Sequence, residues 1–210
     1  MQTIGVLSGD VVSSREIDDK RKLRAAIDTG IDRLGESLGA IGMRFRGDAF
    51  QLALPHAADA FTAAVLMRAS LIEHSPSRQQ MWDARIAIGL GEAQLPSVED
   101  FVDADGAPFV RSGQGLDALG QGQQRLGLFV EKPQPELDLL IRFADDIVSH
   151  WTHNAAEVIR LSLMSGASQS ELAKRLGRSQ PTINRRLAAA RWALIRDFLD
   201  LMQQRLEATT

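Results

Sequence analysis

No cysteine occurs among the 210 residues. That excludes disulfides, thiolate metal sites and a cysteine nucleophile, and it fits a reducing compartment. No apolar run approaches the roughly 18 to 20 residues that a bilayer-spanning helix needs. Residues 1–10 have neither the basic start nor the long apolar stretch of a signal peptide. A cytoplasmic chain with no membrane partner is therefore expected. There is no phosphate-cradling glycine motif, no serine-hydrolase elbow, no internal repeat and no low-complexity tract. His56, His74, His150 and His153 show no metal-ligand spacing with carboxylates. What remains is an ordinary globular composition, 44% hydrophobic and 24% charged, in a chain long enough for one medium domain and one small one.

Charge is unevenly placed. Residues 1–154 hold 15 Lys/Arg against 22 Asp/Glu, a net of −7, whereas residues 155–210 hold 9 against 5, a net of +4. Between Glu171 and Arg196 seven basic residues face one acidic residue. An acidic body with a basic end is the charge signature of a phosphate-seeking module.

Hydrophobic periodicity divides the chain at about residue 150. Strands are expected over residues 3–8, 43–54 (a hairpin around Gly47-Asp48), 84–90 and 126–130, and helices over 17–38, 57–72 and 136–150. Residues 96–122, rich in Gly, Asp and Gln, are expected to be loop with a short helix at 116–119. The expected fold is α+β, a mixed sheet layered with helices over residues 1–150, followed by an all-α domain over 151–210.

In the helical part, Ser168 and Glu171 form a capping box, and Gly177 ends the short helix that follows. Ser179 caps a second helix with Pro181 in its first turn. Leu172, Ala173, Leu176, Ile183 and Leu187 are expected to hold the pair together. Its outer face would then present Gln180, Thr182, Asn184, Arg185 and Arg186 to base edges, with Lys174, Arg178, Ser179 and Thr182 on phosphates of double-stranded DNA. The segment resembles helix-turn-helix units of bacterial regulators and sigma-factor-like domains. A helix over residues 187–206 carries Leu194, Ile195, Phe198, Leu201, Met202 and Leu206 on one side. These residues either pack on the chain's own first domain or form a dimer seam, and a homodimer is the expectation.

In the first part, Asp10 follows the first strand and Asp48 lies in the hairpin turn. Both positions resemble the metal-binding carboxylates of class III nucleotide cyclases. The motifs Ser8-Gly9-Asp10-Val11-Val12-Ser13-Ser14-Arg15, Gly47-Asp48-Ala49-Phe50-Gln51, Ile86-Ala87-Ile88-Gly89-Leu90-Gly91 and Asp105-Gly106-Ala107-Pro108-Phe109 resemble the SatD family. The resemblance implies a cyclase-like, ferredoxin-like sensor domain joined to a DNA-binding tail. It also implies a nucleotide ligand with Mg²⁺ on Asp10 and Asp48, and ligand contacts from Asp10, Ser13, Ser14, Arg15, Asp48 and Arg111. The cyclase's phosphate-steadying Asn is missing from Arg111-Ser112-Gly113-Gln114-Gly115-Leu116, so binding without turnover is expected, with Arg111 and Arg125 left as phosphate partners. Three readings of the whole stand: a ligand-sensing transcription regulator, a Mg²⁺-dependent cyclase or nucleotidyl transferase, and a protein-binding adaptor.

Overall fold

The alternation of small and β-branched residues in the first segment builds a ten-residue strand, β1 (Gln2–Val11), that forms the middle of the sheet. The computed structural model describes residues 2–45 and 47–208. The hairpin strands β2 (Ile41–Arg44) and β3 (Phe50–Leu54) lie on one side of β1, and β4 (Ala84–Ala93) and β5 (Leu126–Phe129) on the other. The order is β2-β3-β1-β4-β5, antiparallel throughout except for the parallel pair β4–β5. Alternating side chains give the sheet two apolar faces. Leu7, Leu52, Ile86 and Ile88 face the main core, and Ile4, Val6 and Ala53 join Phe101 and Phe109 on the other side.

The main face is covered by α1 (Lys20–Leu38) and α2 (Ala60–Glu73). A helix is apolar all round only when every side is buried. This describes α2, in which all residues from Ala60 to Ile72 except Thr62 are buried. Its other flank is closed by α5 (His153–Ser165) and by α8 (Trp192–Glu207), where Phe61 and Phe198 meet edge to face with ring centroids 5.4 Å apart. One apolar core therefore runs from the sheet through α2 into the carboxy-terminal helices. Between these lie α6 (Gln169–Leu176) and α7 (Gln180–Ala189), while α4 (Pro135–Ser149) packs beside β5. The fold is mixed α+β, with five strands and eight α-helices among the described residues.

Two ionic clusters tie the layers together. Arg68, fully buried on α2, donates to both oxygens of Asp83 at 2.8 and 2.6 Å and to Asp145 of α4 at 2.6 Å. Burial alone would depress its pKa, but the two carboxylates outweigh this and hold it above the usual arginine value. On α5, Arg160 makes a two-point pair with Glu73 of α2 (Nη2–Oε1 2.9 Å), and Arg33 of α1 lies 3.8 Å from the same carboxylate.

Three expectations need correction. Residues 107–119 form a 13-residue helix, α3 (Ala107–Leu119), where loop was expected. Its glycines look like loop punctuation, but α3 is held by close packing on β4: a Cβ on Gly89 would lie 2.2 Å from Pro108 O and 2.7 Å from Ser112 N. The helix expected over 187–206 is broken at Arg191, whose φ of 52° is left-handed, so that α7 and α8 are separate. Finally, Ile195, Phe198, Met202 and Leu206, half of the expected dimer seam and more, are buried within the chain on its own core.

Candidate nucleic-acid interface

Each end of α6 is fixed by local chemistry. The Ser168 hydroxyl accepts from Glu171 N–H at 3.3 Å, and Glu171 Oε2 accepts from Ser168 N–H at 2.8 Å, closing the capping box. The bond from the Ser168 backbone holds the Glu171 carboxyl below its usual pKa. At the other end Gly177 takes φ +59°, and Arg178 N–H reaches back to Ala173 O at 2.9 Å. Leu172, Ala173, Ile183 and Leu187 are buried between the two helices, as the sequence predicts, and Leu176 is half-buried. Ser179 stands at the start of α7, but its hydroxyl bonds to Thr182 Oγ1 at 3.0 Å and makes no capping bond to the backbone.

Helical spacing sorts the candidate DNA residues. Gln180, Pro181, Asn184, Arg185 and Ala188 are exposed on one side of α7. Thr182 is half-buried at its margin, with its hydroxyl between Ser179 and Arg185. Arg186 lies off this side and donates to Glu157 of α5 at 2.9 Å, so its guanidinium is engaged within the protein. Lys174 and Arg178 are exposed beside α7, as is Arg175, which motif reasoning passed over although its place in the last turn of α6 was readable.

The structure treats the candidate ligand residues unevenly. Asp10 faces Arg85 directly across β1 and β4, and the guanidinium donates to both carboxylate oxygens, at 2.8 and 2.6 Å. That hydrogen bonding holds the Arg85 pKa above its usual value, and the charge of Asp48 adds to the effect. Among the described residues no cluster of three His, Asp or Glu side chains is placed to hold a metal. As arranged, Asp10 is matched to an arginine and does not fit Mg²⁺. Ser13 is exposed in the left-handed region (φ 51°). Ser14, Arg15 and Asp48 line one cleft of about 360 Å³ together with Lys20 and Arg24, two cations one turn apart on α1 that motif matching did not flag. Arg111 lines a different groove and donates to Leu90 O at 2.7 Å, and Arg125 is paired with Asp83 at 2.8 Å.

The ECF sigma factor family model matches residues 59–200, which takes in α2 through most of α8. This overturns the resemblance to the SatD family drawn from short motifs in the first part of the chain. No curated protein sequence matches the chain. Among solved structures, the active GGEEF domain of a diguanylate cyclase from Vibrio cholerae is similar at 17% identity and a TM-score of 0.43, over 63% of this chain and 85% of that one.

Proposed function

The chain belongs to the ECF sigma factor family, and from that premise we propose that it regulates transcription by binding double-stranded DNA through α6 and α7. What carries this reading is the exposed side of α7, where Gln180, Asn184 and Arg185 stand together beside Lys174, Arg175 and Arg178 of α6 and the turn. Glutamine and asparagine match adenine edges, and arginine matches guanine; the flanking cations would neutralise phosphates and set the register. α7 is the helix that enters the major groove, and α5 is its platform.

The measurement is fluorescence anisotropy on genomic duplex fragments and on random duplex across a salt series. Affinity is expected to fall steeply with salt. Arg185→Ala is expected to weaken the selected site by about 1 to 3 kcal/mol while leaving random duplex nearly unchanged. Absence of salt-sensitive affinity for any duplex fragment overturns the assignment.

In the same proposal residues 1–150 act as a sensor and residues 151–210 as the DNA-binding part. The cleft of Ser14, Arg15, Lys20, Arg24 and Asp48, with three cations around one carboxylate, suits an anionic ligand such as a nucleotide. A rise in melting temperature with ATP or GTP that is lost in Arg15→Ala supports the sensor. No shift with any nucleotide removes that half of the proposal and leaves the DNA half standing.

A further inference from the structure

β5 is an edge strand, paired with β4 on one side only. Ile86 N–H donates to Arg125 O at 2.7 Å. Along a strand the backbone groups of successive residues turn to alternate sides. Gly127 and Phe129 therefore face β4, and Leu126 and Leu128 face away from it; Leu126 is fully buried, so the edge meets the surface at Leu128, which is 9% exposed. Unpaired edge groups are a template for a further strand. A donor from outside the sheet already reaches this edge, because the Gln124 side-chain amide donates to Leu126 O.

A groove of about 710 Å³ lies against this strand and is lined by the consecutive residues Gly127, Leu128, Phe129 and Val130. One wall is α3, with Arg111 and Gln114, and the other is α4, with Asp138 and Arg142. The lining holds two guanidinium groups and one carboxylate, with Glu131 lying outside the lining against Arg111. Arg142 is exposed, and the contact of Arg111 with Glu131 is long, at 3.4 Å to a side chain that is 79% exposed. An arriving carboxylate would displace it readily.

We propose that this groove captures an extended, acidic peptide segment of a partner protein, which adds to the sheet as a sixth strand beside β5. Main-chain hydrogen bonds to Leu128 would supply affinity, and Arg111 and Arg142 would select Glu or Asp at alternate positions of the peptide. The proposal does not rest on DNA binding, which would use α6 and α7 and none of the residues that line this groove.

The test is selection of a displayed library of random heptapeptides on the whole chain, with the Arg142→Glu chain as the counter-target. Enrichment of acidic peptides is expected, with binding roughly tenfold weaker or worse on Arg142→Glu, as for loss of a charge-assisted pair. The enriched peptide is then resynthesised with N-methyl groups on alternate residues in both settings. Strand addition requires one setting to abolish binding and the other to preserve it. No enrichment over the counter-target, or equal effects of the two N-methyl settings, overturns the proposal. So does enrichment of helical rather than extended peptides.

Discussion

Arg186 of α7 donates to the Glu157 carboxylate of α5 at 2.9 Å, with the two side chains only 16% and 33% exposed. The bond sets the roll of α7 against its platform, and this decides which residues of α7 face outward. Arg186→Ala is expected to lower stability by about 0.5 to 1.5 kcal/mol. It should weaken the specific site more than random duplex, as Arg185→Ala does, but with a loss of stability that Arg185→Ala lacks. Urea denaturation together with anisotropy on the two duplexes checks both parts.

Gly89 and Gly177 are both placed where glycine is favoured, for different reasons. A Cβ on Gly89 would lie 2.2 Å from the backbone oxygen of Pro108, so Gly89→Ala must push α3 away from the sheet. A loss of about 3 kcal/mol or more is expected, as for severe overpacking. Gly177 has nothing within 4 Å of the position a Cβ would take, and only its φ of +59° matters. Gly177→Ala is expected to cost about 1 kcal/mol, and Gly177→Asn less. Chemical denaturation of the three variants measures the contrast.

Phe198 stands edge to face with Phe61 at the seam between α8 and α2. Phe198→Ala is expected to destabilise the whole chain by about 3 to 5 kcal/mol in a single transition, because the cavity opens in a shared core. Two separate transitions, with only the helical part melting early, would contradict the continuous core.

Glu171 has a lowered pKa in the folded chain, chiefly through its bond from the Ser168 backbone. A group whose folded pKa lies below its unfolded value stabilises fully above the unfolded value and loses that contribution as pH falls through the folded one. The start of α6 is thus expected to be firm at neutral pH and to loosen under acid, below the ordinary glutamate pKa of 4.5. Amide exchange at Glu171 and Leu172 across that range, compared with Glu171→Gln, reads this directly. Protection in the variant should no longer follow pH.

The elements most legible in the sequence were those with local chemistry. The Ser168 and Glu171 box, the Gly177 turn and the Gly47-Asp48 hairpin each carry their instructions within a few residues, and each stands where expected. The misread elements depend on distant partners. α3 is rich in glycine and looks like loop until β4 is laid against it. The break at Arg191 has no glycine or proline to announce it. Arg68, in the middle of an apolar helix, has partners 15 and 77 residues away in Asp83 and Asp145. For the same reason the candidate site was only half legible. The types on α7 were readable, but Glu157 taking up Arg186, and Arg85 taking up Asp10, are facts of the fold.

With neighbours on every flank, α2 cannot roll by itself. It grips α5 through Glu73 and Arg160, and α5 in turn holds α7 through Glu157 and Arg186. The exposed side of α7 is therefore geared to the sheet and does not swing on a tether. Any event that shifts the sheet by a fraction of a turn must either reappear at α7 or strip one of those two carboxylates from its arginine.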